Sequence, residues 1–160
     1  MIRELVQKAL DFCVEKNTCL KNKEGVVNML LQEDNWVHST FRYALGRNIC
    51  EHLGIYCGEL EEIYLTGSTL DNRAGFTSDV DLVVKVRGDS RALIDTLRRL
   101  DSDIMIYYRS LLGERVREMR RILNAEFVPL RGDESFVKKK RRLFHPPLLI
   151  WRRNFNSNSV

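Results

Sequence analysis

The sequence predicts an α+β domain, a small mixed sheet packed by helices, with a helical extension ahead of it. Three observations carry this reading. Residues 62–66 and 78–86 are short runs rich in Val, Ile, Leu and Tyr, the first ended by a glycine. Apolar residues recur at helical spacing throughout the first sixty positions. Beyond residue 87 the two periodicities alternate, so that helix, strand, helix and strand are expected in turn.

The extension comes first. In Met1 to Lys16, the residues Ile2, Leu5, Val6, Ala9, Leu10 and Cys13 fall on one helical face, broken by Arg3, Glu4 and Lys8. That pattern is an amphipathic helix and not a secretory leader, and no apolar run is long enough to span a membrane. The expected compartment is therefore cytoplasmic. A second helix is expected over Gly25 to Gln32, and a third, capped by Asp34 or Asn35, runs until Gly54. Cys13, Cys19, Cys50 and Cys57 contain no C-x-x-C pair, and His38, His52 and His145 are scattered. Free thiols are expected, without zinc or disulfides.

The central stretch is Gly67 to Val84, GSTLDNRAGFTSDVDLVV, entered from Glu62-Ile63-Tyr64-Leu65-Thr66. Alternation from Ser78 to Val86 sends Asp79, Asp81, Val83 and Lys85 to one face, and Val80, Leu82, Val84 and Val86 to the other. Two residues of strand separate the aspartate Cα atoms by ~6.6 Å, so both carboxylates can reach one cation. At ~4 Å such a pair repels by about 4 kcal/mol at an effective dielectric near 20, which calls for a metal, a proton or open water. Magnesium answers that need, because it binds through one or two carboxylates plus the phosphates of a substrate. Gly67 allows a tight turn and close approach of a ligand, and Ser68 adds a hydroxyl and neighbouring N–H groups for phosphate oxygens.

Strand, Gly-Ser, ten intervening residues and Asp-Val-Asp on an apolar strand together resemble the signature of the DNA polymerase beta-like nucleotidyltransferases. The minimal members of that superfamily are the nearest in pattern, and the resemblance covers about residues 61–130. It implies a metal-dependent enzyme using Mg2+ or Mn2+, with ATP as the expected nucleotide, that moves AMP to an acceptor hydroxyl and releases pyrophosphate. By the same resemblance Asp79 and Asp81 are catalytic and hold metal, Gly67 and Ser68 bind the nucleotide, and a third carboxylate begins a strand near residue 103. With a strand expected over Asp103 to Tyr108, Asp103 is the matching residue and Asp101 its rival, since a shift of two keeps the strand face. Lys85 shares the aspartate face, although a surface role suits it better. A catalytically weak nucleotide- or partner-binding module of antitoxin type stays open as the alternative.

The remaining elements follow the same pattern: helices over Gly88 to Leu100 and Ser110 to Asn124, then a strand over Ala125 to Leu130. Domain limits are expected at 1–60 for the extension, 61–131 for the nucleotidyltransferase core and 132–160 for a basic tail. Charge supports the last boundary. Residues 113–160 hold twelve Lys or Arg against five Asp or Glu, a net +7, whereas residues 1–112 hold fourteen against seventeen, a net −3. Lys138, Lys139, Lys140, Arg141 and Arg142, with Phe136, Phe144 and Trp151-Arg152-Arg153 nearby, suit an anionic acceptor, either RNA or an acidic protein. The sequence leaves oligomeric state open.

Overall fold

The computed structural model describes residues 1–129 and 146–154. Four helices and four strands make up the described chain: α1 (Ile2–Lys16), α2 (Lys23–Leu31), α3 (Asn35–Tyr56), β1 (Leu60–Thr66), β2 (Val80–Val86), α4 (Arg91–Leu112), β3 (Leu123–Pro129) and β4 (Leu148–Arg152). This is the α+β arrangement, with the helical elements gathered ahead of and between the strands of one mixed sheet.

Local chemistry sets the helix starts. Asn22 caps α2 by accepting from Gly25 N at 2.9 Å, and Asp34 caps α3 by accepting from Val37 N at 2.9 Å. The end of α3 departs from expectation, because the helix runs through Gly54 to Tyr56. Gly54 serves a different need. A Cβ there would lie 2.3 Å from the Trp151 ring, so the glycine admits a side chain from β4.

The largest correction concerns residues 101–112. The strand expected over Asp103 to Tyr108 and the helix expected from Ser110 do not exist as such, since α4 continues unbroken to Leu112. Its buried residues Leu93, Leu97, Leu100, Ile104 and Tyr108 are spaced by three or four, whereas Ile106 is 67% exposed. The run Ile-Met-Ile-Tyr-Tyr has strand-forming composition, and the helical stripe through it wins. Gly113, at φ +57°, then ends the helix, and a short 3-10 turn leads to β3.

The strand order is β3-β2-β1-β4. β1 and β2 are antiparallel, with Thr66 opposite Asp81 and Tyr64 opposite Val83. β2 and β3 are parallel, with Asp81 opposite Asn124 and Val83 opposite Glu126, and the crossover between them is α4. β4 pairs antiparallel with β1. Thus Leu148–Arg152, read from sequence as part of a tail, is a strand of the sheet.

Opposite residues share a face, so the register sorts the sheet into two sides. Val80, Leu82, Val84 and Val86 join Ile63, Leu65 and the buried faces of all four helices in one hydrophobic core. The other side carries Thr66, Asp81 and Asn124 in a row across three strands, then Tyr64, Val83 and Glu126, then Glu62 and Lys85. Cys13, Cys50 and Cys57 are buried free thiols and Cys19 is an exposed one. Among the described residues no helix is long and apolar enough to cross a membrane.

Candidate active site

β1 ends in the turn that faces Asp81. Gly67 has φ +82°, in the left-handed region that glycine enters without penalty, and a Cβ there would lie 2.3 Å from Asp81 Oδ2. Backbone conformation and proximity to the carboxylate therefore each demand glycine. From Ser68 the chain winds tightly, its carbonyl accepting from both Asp71 N and Arg73 N at 3.2 Å. Thr66, Gly67, Asp81, Asn124 and Glu126 line a hollow of about 150 Å³ at this point.

Asp81 is held from the far side. Asn124 Nδ2 donates to Asp81 Oδ1 at 2.8 Å, as their opposed positions on β2 and β3 allow. Asp79, one residue ahead of β2 and half-buried, meets Arg121 with Nη2 3.4 Å from Oδ2. Sequence alternation put Asp81 on the face opposite the core, whereas Asp79 precedes the strand, and the structure adds a partner for each.

The segment that delivers Asp79 is fastened to α3 by Asn35, Ser39 and Arg42, whose part in the site depends on long-range contacts. Asn35 Nδ2 donates to the carbonyl of Ala74 at 2.9 Å, and Ser39 Oγ accepts from Ala74 N at 3.1 Å. Arg42 is wholly buried, and all five of its N–H donors are used. They reach the carbonyls of Ser78 (2.8 Å), Phe76 (3.2 Å) and His38 (3.3 Å), the Tyr108 hydroxyl (2.8 Å) and His38 Nδ1 (2.9 Å). None of the five is a carboxylate, so dipoles and the Tyr108 ring, 5.5 Å from Cζ, surround this charge. Positions 35, 39 and 42 share one face of α3, and that polar stripe on a largely apolar helix was the available signal.

The same network fixes the His38 tautomer. Its Nε2 lies 2.8 Å from the Leu30 carbonyl, which can only accept, so Nε2 carries the hydrogen and Nδ1 receives the Arg42 bond. Protonation of Nδ1 would break that bond inside the core. Burial first, and the Arg42 charge second, pull the His38 pKa down from 6.5 to about 4.

The carboxylates proposed for the third position fare differently. Asp103 is exposed on α4 and is not on the sheet. Asp101, also on α4, accepts from the backbone N–H groups of Ile122 and Leu123 at 2.8 Å each, which ties the helix to the start of β3. On the strand that does flank β2, the residue opposite Asp81 is Asn124, and Glu126 follows two residues later on the same face. These two were missed because the third strand was placed a helix too early. Lys85 pairs with Glu62 at 3.7 Å, a structural contact.

The donor chemistry of the site fits magnesium. Asp81 offers a carboxylate at the hollow and Asp79 a second one two residues earlier, paired with Arg121, although among the described residues no group of three His, Cys, Asp or Glu side chains is placed to hold an ion. Magnesium does not need such a cage, since substrate phosphates and water complete its shell. Lys138 to Arg142, with Phe136 and Phe144, lie outside the described residues. Arg152 pairs with Glu62 at 3.1 Å, and Arg153 donates to the carbonyls of Cys57 at 2.8 Å and Leu60 at 2.9 Å. Both arginines are thereby committed to the domain itself.

Among solved structures the chain is similar to a Sulfolobus solfataricus protein, provisionally described as a nucleotidyltransferase, at 18% identity over 76% of this chain and 89% of that one, with a TM-score of 0.44. No protein-family model and no curated protein matches the chain.

Proposed function

We propose that the protein is a metal-dependent nucleotidyltransferase that moves AMP from ATP to an acceptor hydroxyl. One observation carries the proposal: Gly67, in a conformation and at a distance that exclude any side chain, places a phosphate-sized hollow directly against Asp81 on the strand that follows Asp79. Asp79 and Asp81 would hold magnesium, which when bound supplies charge neutralisation at the phosphate oxygens.

The protein's own groups do the rest. The turn at Gly67-Ser68 receives the leaving end of the triphosphate, and Asn124 and Arg121 hold the two aspartates in orientation. The acceptor oxygen forms its bond to the α-phosphorus while the bond from that phosphorus to the bridging oxygen breaks. Pyrophosphate departs with the electron pair. The hydroxyl proton passes to Glu126, the other carboxylate lining the hollow. Strands fix these groups in advance, so the reaction spends little on reorganisation.

A nucleotide- or partner-binding module is the second reading, and Asn124 favours it. The position opposite Asp81 on β3 carries an amide where a third carboxylate would complete a metal site. Incubation with magnesium, α-phosphorus-labelled ATP and cellular RNA or protein separates the two readings. Label transfer with pyrophosphate release in the wild type, lost in Asp81→Asn, supports the enzyme. ATP binding with neither product supports the module.

A further inference from the structure

The outer side of α3 carries a ridge that the core does not use. Tyr43, Arg47, Glu51 and Ile55 follow one another at four-residue spacing, the row along which helix side chains line up. Exposure rises along it. Tyr43 is half-buried, the Arg47 and Glu51 side chains are 49% and 60% exposed, and Ile55 is 76% exposed. Tyr43 leans on Phe12 of α1, with ring centroids 5.8 Å apart, so the ridge begins in an aromatic pair and ends in a branched aliphatic side chain.

Taken one at a time these residues carry little meaning. Arg47 Nε lies 3.8 Å from Glu51 Oε1, and an exposed helical ion pair at that separation adds little to stability. A single exposed isoleucine is equally ordinary. Their order is what counts: aromatic, positive, negative, aliphatic, spaced symmetrically about Ile49.

Such an order is the complement of its own reverse. Against a second α3 running the opposite way, with a two-fold axis level with Ile49, Arg47 faces the partner's Glu51 and Tyr43 faces the partner's Ile55, and each contact occurs twice. A parallel alignment in register would instead set Arg47 against Arg47 and Glu51 against Glu51. Charge therefore selects the antiparallel arrangement. Asn35, Ser39 and Arg42, which fasten the segment ahead of Asp79, lie on a different face of α3, so the contact does not draw on the residues that support the active site.

We propose that a second copy of this chain docks on this ridge, giving a two-fold symmetric dimer through antiparallel α3 helices. One helix from each copy makes a small interface, so a weak dimer is expected, with a Kd of about 10–100 µM. The inference stands apart from the nucleotidyl-transfer reading.

Sedimentation equilibrium of the wild type, Arg47→Glu, Glu51→Arg, Ile55→Asp and the exchanged pair Arg47→Glu/Glu51→Arg tests it. The wild type should self-associate in that range, and each single variant should weaken the association by about tenfold or more. An equimolar mixture of Arg47→Glu and Glu51→Arg should form the heterodimer, since each chain then faces the opposite sign, and the exchanged pair should regain the wild-type association. All three positions are exposed, so melting temperatures near that of the wild type should show that a contact and not the fold was lost. A wild type that stays monomeric up to ~1 mM would overturn the proposal and leave the ridge to a different protein. Association left intact by the single variants, or a loss restored by neither the mixture nor the exchanged pair, would overturn it as well.

Discussion

Gly67→Ala tests the contact on which the site is built, and the fold supplies its own control. Gly67 and Gly88 have nearly the same backbone, at φ +82° and +80°, but a Cβ at Gly67 lies 2.3 Å from Asp81 Oδ2 while one at Gly88 meets nothing within 4 Å. An alanine at either site suffers the left-handed penalty of about 1–2 kcal/mol. Only Gly67→Ala adds a collision, worth about 1–3 kcal/mol for overpacking unless the carboxylate moves. In a domain of this size each kcal/mol shifts Tm by about 2–4 °C. Thermal unfolding should therefore rank wild type above Gly88→Ala above Gly67→Ala, and adding Asp81→Ala to Gly67→Ala should recover the gap between the two alanine variants. If the carboxylate swings away instead, stability is spared and magnesium-dependent ATP binding is lost. Gly67→Ala that matches Gly88→Ala in stability and still binds ATP with magnesium would refute the reasoning.

Three further outcomes are expected. Arg42→Met strands the carbonyl of Ser78, at about 1–3 kcal/mol, leaves that of Phe76 with the Tyr108 hydroxyl alone, and should weaken magnesium-dependent ATP binding by loosening the segment ahead of Asp79, as denaturant melts and calorimetry would show. His38 titrates near 4 when folded and 6.5 when unfolded, so the unfolded chain gains the proton first as pH falls. Its contribution is full above pH 6.5, declines between 6.5 and 4 and is then exhausted, a loss of about 3 kcal/mol that urea melts across that range should show and His38→Gln should lack. Among the acids, Asp103→Ala should leave label transfer and stability near wild type, Asp101→Ala should lower Tm by releasing two amides, and Glu126→Gln should lower transfer.

What the sequence disclosed follows the range of the interactions involved. The Gly67 turn and the face of Asp81 were legible because a turn and a strand's alternation are local properties. Asn124 and Glu126 were not, because their place beside Asp81 depends on a parallel register set by the whole crossover through α4. The residues 103–108 misled because Ile-Met-Ile-Tyr-Tyr has strand composition, and only the burial of Ile104 and Tyr108 together with the exposure of Ile106 reveals the helix. Arg42 went unnoticed because a buried arginine is intelligible only once the carbonyls of Phe76 and Ser78 stand around it. Trp151 read as tail for a similar reason: its partner, the gap at Gly54, is almost a hundred residues away.

In the proposed function Asp79 and Asp81 hold a metal for a nucleotide at the Gly67 turn. Titration calorimetry of ATP into the wild type, Asp79→Asn and Asp81→Asn, each with magnesium and with a chelator, tests it most directly. The expected result is binding by the wild type with magnesium only, lost in both variants while their melting temperatures hold or rise as carboxylate repulsion is relieved. Equal ATP affinity with and without magnesium, or undiminished binding by either variant, would contradict it.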